Sequence, residues 1–328
     1  MRMTTGLIAR LPYGQVVEVL EEIGGIEISK SSVWQIGQAW GARFGEEMAA
    51  EEEEQKAAAR AWSTPGGRKE PQHRMGVAVD GAMMYVLGEG WKEFKLGCVY
   101  EVAQQTQIDA RTGDAGQFGH AEQTSYVAHL GGPQPFGWQV WTEAQRRGWQ
   151  QACDTQMLGD GALWIWNLHQ EHFHESISVV DWYHALEHLG NAKLLLHPQE
   201  GPVASRWYRE HEEALFLGHA NRVAHSLNSE ADQSDDPEHA DALRKAAAYF
   251  SNNRDRMHYH DLRNDGWPIG SGMVESGAKR FKTRFTGPGM RWSRQGAENL
   301  LPLRAALMTS KERFEDLWSR AVSNLPLS

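Results

Sequence analysis

Cysteine is almost missing from this chain: Cys98 and Cys153 are the only two among 328 residues. Two thiols cannot build a disulfide framework or a four-cysteine zinc site, so a reducing compartment is expected. No uninterrupted apolar stretch approaches the roughly 20 residues that a membrane span requires, and no charged-then-apolar leader opens the sequence. A cytoplasmic protein without a membrane partner is the expectation. There is no GxxxxGKS/T phosphate loop, so no nucleotide energy cofactor is implied. Cations are in deficit as well. The formal net charge of −10 argues against a protein that coats nucleic acid nonspecifically.

What is present describes an ordinary globular chain. A composition of 41% hydrophobic and 23% charged residues excludes disordered, collagen-like and coiled-coil classes. The length suits about two domains, at roughly 150 residues each. Charge is unevenly spread. Glu51 to Glu54 form an acidic run, the pattern of a solvated helix face, whereas Lys279, Arg280, Lys282, Arg284, Arg291 and Arg294 follow one another with no acidic residue between them. A basic face can exist inside an acidic protein, because phosphate responds to the local field.

The first sixty residues have helical spacing. Val16, Val17, Val19 and Leu20 form one apolar stretch, Gly24-Gly25 breaks it, and Ser29 to Ser32 offer N-caps for a helix through Trp34, Ile36 and Trp40. Helix, turn, helix is a DNA-binding pattern, although two packed helices more often serve structure alone. Residues 62–74 are rich in Pro, Gly and charge, as a linker would be. The period then changes. Residues 75–79 form an apolar run ending on Asp80, as in a buried strand; 83–87 and 94–102 are further strands, the first joined to its predecessor by a Gly81-Ala82 turn. Residues 104–122 look like loop and 136–149 like helix. Met157-Leu158-Gly159-Asp160 is again an apolar run closed by aspartate. A helix over 163–172, a strand over 177–180 and a helix opened by Asp181 and running to about Leu196 follow. The stretch 198–265 has helical spacing, with a polar interruption at 226–237. Gly270-Ser271-Gly272 then opens a last helix whose Val274, Ala278, Phe281 and Phe285 form one apolar stripe.

Asp80 and Asp160 each end a predicted buried strand, where a rigid frame can carry a site. Glu275 lies on the last helix, partly turned away from its apolar stripe. Carboxylates that converge repel one another, and hard oxygen ligands then attract Mg²⁺ or Mn²⁺. Two such ions about 4 Å apart can activate an attacking oxygen and stabilise the leaving oxygen of a phosphodiester. The plainer alternative is that Asp-Gly marks a turn and each aspartate caps the helix after it.

The segments VDGA at 79–82, GDGALWIWN at 159–167, VVDWYHALEHL at 179–189, GSGMVESGAKRFKTRF at 270–285 and GMRW at 289–292 occur in that order. Together they resemble the DDE transposases of bacterial insertion sequences, in particular the ISKra group, itself similar to Mutator-like transposases. The resemblance covers about residues 75 to 308. It implies an α/β architecture: an RNase H-like mixed sheet with a helical insertion and an N-terminal helix-turn-helix-like segment. The corresponding division is a helical N-terminal segment at 1–61, a linker at 62–74, the first part of a catalytic core at 75–190, the insertion at 191–265 and the core's final helices at 266–328. Asp80, Asp160 and Glu275 match the metal-binding DDE triad, with two Mg²⁺ (or Mn²⁺) ions as cofactor. The long stretch between Asp160 and Glu275 suits the Mutator-like type. Asp181-Trp182-Tyr183-His184 resembles that group's C/DxxH signature in its aspartate form, so no thiol takes part there. As accessory residues, Asp181 can cap its helix and His184 can contact a phosphate or orient a metal ligand. The family's N-terminal part usually includes a cysteine-rich zinc segment, which this chain lacks; residues 11–44 would be what remains of an end-recognition region.

The implied partners are DNA, both transposon ends and target, and further copies of the chain, since two ends must be joined; association with the nucleoid follows. Lys279 and Lys282 stand four and seven positions after Glu275 and so share its helical face. With Arg280, Arg284, Arg291, Trp292 and Arg294 they make up the expected DNA-binding set. Trp182 and Trp292 are candidates to stack on an unpaired base, although Trp164, Trp166 and Trp182 also alternate as core residues would. Two other classes compete. A truncated or domesticated relative would bind DNA without cutting it. His184-Ala185-Leu186-Glu187-His188 also spells the HxxEH motif of zinc peptidases, with Glu210, Glu212 or Glu213 as a further ligand. His169, His172 and His174 are expected to be structural.

Overall fold

A computed structural model describes residues 1–61, 70–109, 113 and 115–325. The protein is mixed α/β, with five strands hydrogen-bonded in the order β3-β2-β1-β4-β5. These are β1 (Glu70–Val86), β2 (Gly90–Ile108), β3 (Ala115–His129), β4 (Ala152–Gly159) and β5 (Ile177–Val180). By contact the chain divides into two compact units. One comprises Met1–Tyr100, Gln123–Cys153 and Gly272–Ser328; the other comprises Glu101–Glu122 and Asp154–Ser271. No helix among the described residues is long and apolar enough to cross a membrane.

In the first unit, α1 (Arg2–Arg10), α2 (Tyr13–Glu22) and the long α3 (Lys30–Ala61) precede the strands. Residues 94–100 of β2 are all buried, as a strand covered on both faces must be. Successive side chains point to opposite faces. A Cβ on Gly97 would meet Val140 and Phe136 of α4 (Pro133–Arg146), whereas Leu96 lies against Gly277 of α11 (Gly272–Phe285). The two helices therefore cover opposite faces of β2. Phe281 and Phe285 of α11 sit 6.2 and 6.1 Å from the Phe94 ring, realising the stripe read from sequence. Gly76 is glycine because the Tyr100 ring lies where a Cβ would stand. Capping by Ser293 and Ser310 starts α12 (Arg294–Thr309) and α13 (Lys311–Ser323).

In the second unit β4 and β5 run parallel, with Gly159 opposite Val180. Between them α5 (Leu163–His172) packs so closely that a Cβ on Gly159 would stand 2.6 Å from Ile165. After β5 come α6 (Trp182–Leu196), α7 (Pro202–Phe216), α8 (Ala220–Asp232), α9 (Pro237–Asn253) and α10 (Tyr259–Asn264). Trp166 and Trp182 are buried, and Trp164 is half-buried.

Several expectations need correction. Residues 75–79 and 83–86 belong to one strand with no turn at Gly81-Ala82, and Leu87 begins the turn that follows it. Burial is continuous to Val79 and then alternates at Ala82, Met84 and Val86, as when one face of a strand becomes solvated. Most of 104–122 is not loop. β2 extends to Ile108 and β3 starts at Ala115, with Gln105 donating to Glu122 and Gln117 to Thr106 across the pair. Of the linker, 62–69 lie outside the described residues, and 70–74 are already strand. Helix 136–149 is displaced to Pro133–Arg146, because Pro133 suits the first helical turn. The polar interruption at 226–237 shrinks, since α8 continues while Leu227 and Ala231 are buried.

The first unit also contains a buried ion pair: Arg313 donates to both carboxylate oxygens of Glu51, at 2.7 and 2.5 Å. The acidic run at 51–54 is thus solvated only in part. Glu51→Ala should destabilise the fold by about 3 kcal/mol, because a buried guanidinium loses its main partner. Glu51→Met combined with Arg313→Leu should cost less, a difference that urea denaturation of the two variants resolves.

Candidate metal centre

The second unit supplies the most ordered part of the site. Because Gly159 pairs with Val180, the next residues, Asp160 and Asp181, leave the carboxyl ends of two neighbouring parallel strands together, where open α/β sheets bind ligands. The Asp181 amide still donates to the Gly159 carbonyl at 2.8 Å, so the pairing persists to the point of exit. Asp160 is half-buried, and its Oδ1 accepts a 2.7 Å hydrogen bond from the Ala162 amide. The turn continues through Gly161 at φ +103°, a conformation that favours glycine.

Asp181 has no exposed surface. Its Oδ1 accepts from the His184 amide at 2.8 Å and lies 3.1 Å from His184 Nδ1, while Oδ2 accepts from the Ser271 amide. Burial pushes this carboxyl up, but the hydrogen bonds from His184 and Ser271 outweigh it and hold the pKa below the ordinary aspartate value. The residue therefore caps α6, as its position predicts, and also anchors the Gly-Ser-Gly loop. The His184 side chain is 30% exposed. One turn on, the His188 ring stacks on Tyr249 of α9, with centroids 3.6 Å apart.

In the first unit, Asp80 is half-buried on β1, and its Oδ1 accepts from the Gly81 amide at 2.7 Å. Gly81 is closely approached by Glu93 and makes no turn. Glu275 stands half-buried in the first turn of α11, flanked by buried Val274 and Ala278. On that helix Lys279, Arg280 and Lys282 are exposed, and so is Arg291 beyond it.

Arg284, Trp292 and Trp182 are interior. Arg284 is 1% exposed, donates to the Ile8 carbonyl at 3.0 Å and lies over the Tyr13 and Trp292 rings at 4.9 and 5.2 Å. Trp292 continues the edge of β1, exchanging backbone hydrogen bonds with Tyr85 and Leu87, and its indole donates to the Phe285 carbonyl. Trp182 packs edge-on against Phe216 and Tyr259. Aromatic surface already covered by protein is not available to a base, so the stacking roles expected of Trp182 and Trp292 and the phosphate role expected of Arg284 give way to packing. Arg294 begins α12, and it is engaged by Glu89 at 2.8 and 2.5 Å and by Glu298 at 3.3 Å.

Among the described residues one group has a donor set for a metal ion: Asp181, His184 and Glu275 each offer a ligand atom within 4.8 Å of the others. Two carboxylates and an imidazole suit a divalent cation, without fixing which one. Asp80 and Asp160 are outside that group. Glu187 and His188 are outside it too. Sequence reasoning missed the Ser271 amide and Tyr249. The Gly-Ser-Gly motif hinted at the first, but its partner is 90 positions away. No protein-family model matches the chain, and no curated protein matches it.

The lowered pKa of Asp181 has a definite sign. A carboxyl whose folded pKa is depressed contributes stability above its unfolded value, near 3.9, and loses it as pH falls through the folded value. Asp181→Asn should therefore be less stable than the parent by about 2 kcal/mol at pH 7, with charge-assisted hydrogen bonds at stake. The gap should close on acidification below about pH 4. Urea denaturation of both proteins at pH 7 and pH 3 tests this; an equal gap at both values would assign the loss to packing.

Proposed function

We propose that this chain is a metal-dependent DNA transposase with an RNase H-like core, cutting at the ends of a mobile element and joining the freed 3′-hydroxyl to target DNA. The observation that supports this reading is the paired exit of Asp160 and Asp181 from the carboxyl ends of β4 and β5, the first a residue of the expected triad and the second the start of the DxxH motif. The strand order, with β1 central, a meander on one side and β4-β5 on the other, suits that core. So does the donor group that includes Glu275.

In this reading Asp80, Asp160 and Glu275 supply the oxygen ligands for two Mg²⁺ or Mn²⁺ ions. Bound divalent cations would lower the pKa of the attacking oxygen and neutralise charge on the leaving oxygen. Asp181, itself held by three donors, fixes the orientation of His184, so that the imidazole meets a phosphate or a metal ligand in one pose. Lys279, Arg280 and Lys282, exposed along α11, hold phosphates next to Glu275, with Arg291 as a further contact. Cleavage by water and attack by the 3′-hydroxyl are the same in-line displacement, so no covalent protein intermediate is required. Joining two ends calls for a dimer or larger assembly.

Nicking of DNA that carries candidate terminal repeats, with and without Mg²⁺, is the direct test. Asp80→Asn, Asp160→Asn and Glu275→Gln should each abolish cleavage and leave DNA affinity largely intact. A variant that still cuts normally removes that residue from the triad, and a wild-type protein that binds but never cuts favours the binding-only alternative. Lys279→Ala with Lys282→Ala should weaken binding and flatten its salt dependence by about 1 unit of slope per lost phosphate contact. An unchanged slope would make both lysines part of a solvated flank.

A further inference from the structure

The helical insertion reaches back to the Asp160 turn through one side chain. Tyr249, near the end of α9, donates its hydroxyl to the Asp160 carbonyl at 2.9 Å. Its ring lies on His188 of α6 at 3.6 Å and 15°. The turn presses on the same place: a Cβ on Gly161 would stand 2.8 Å from Tyr249 Cε2 and 3.3 Å from Asn253 Nδ2. Asn253 is locked in turn, donating to the Tyr249 carbonyl at 3.0 Å and accepting from the Trp166 indole at 2.9 Å. One residue thus touches the turn that carries Asp160, the helix that carries Asp181 and His184, and the helix that it belongs to.

From this geometry we propose that Tyr249 is a positioning residue: it sets Asp160 in register with the Asp181–His184 pair, and the insertion braces the site through it. The inference deepens the function proposed above and rests on it. Two physical points support it. A hydrogen bond to a main-chain oxygen constrains the Asp160 backbone without competing for its carboxylate. The stacked ring limits rotation of α6, which carries His184, about its axis.

Mn²⁺ binding to the full-length chain, followed by the electron paramagnetic resonance of free Mn²⁺, tests this apart from cleavage. Tyr249→Phe keeps the ring and deletes only the hydroxyl. It should weaken Mn²⁺ affinity by about tenfold, the scale of losing a group that orients a metal ligand. The Mg²⁺ concentration for half-maximal nicking should rise by a similar factor, while the rate at saturating Mg²⁺ is largely kept. Lys245→Ala, an exposed change on the same helix, should alter neither quantity. If wild type binds Mn²⁺ and Tyr249→Phe binds it equally well, the positioning role is overturned and the function reading stands. If wild type binds no Mn²⁺, the metal reading itself falls and takes this inference with it. Loss of the wild-type circular dichroism spectrum in Tyr249→Phe would overturn the inference in favour of a whole-fold role.

Discussion

The Asp181 carboxylate is fully enclosed and yet holds a charge, and the second unit is organised around satisfying it. Taking a carboxylate out of water costs several kcal/mol, so each lone pair needs a donor fixed in place. One oxygen receives the His184 amide and faces the His184 ring; the other receives the Ser271 amide. The first contact starts α6 and the second ties down the loop that opens α11. Trp182 reinforces the arrangement by donating its amide to the Ile269 carbonyl. Two chain segments far apart in sequence are thereby joined through one buried side chain. Removing its charge would loosen both.

This arrangement separates the two aspartates that leave the parallel strands. Asp160 stays half-buried, with its carboxyl engaged by a single local amide and its backbone held by Tyr249. Asp181 is saturated with structural donors. A carboxylate with this many structural donors is well placed to orient a neighbour such as His184, whereas the half-buried Asp160 has surface to offer.

Much of the frame was legible because it follows period. The helix at 163–172, the strand at 177–180, the helix opened by Asp181 and the apolar stripe of α11 all lie where apolar spacing and caps put them. The outer half of the β2–β3 pair was not legible. Its strands are held by backbone and by Gln, Glu and Thr side chains with little apolar surface, so their composition is that of a loop. Of the site, the capping role of Asp181 could be read locally. Its bond to Ser271 and the reach of Tyr249 to Asp160 could not, since the partners are 90 and 89 positions apart. Arg284 failed for another reason. Spacing places it in a basic series, but nothing in a series of cations reveals that one of them lies between Tyr13 and Trp292.

With Arg284 buried, the exposed cations of α11 reduce to Lys279, Arg280 and Lys282, joined beyond it by Arg291. A short cationic strip on a chain of net charge −10 behaves differently from a uniformly basic surface. On the proposed function, a phosphate at the strip would gain from the local field, while the rest of the surface would repel the backbone that extends past it. Binding would then fall off steeply for any DNA pose that does not bring a phosphate to α11. The Debye length near 8 Å at physiological salt sets the reach of that repulsion, so distant acidic residues count little and those within a turn or two of the strip count most. An acidic protein can in this way discriminate between poses of a polyanion even though it offers few cations to hold it.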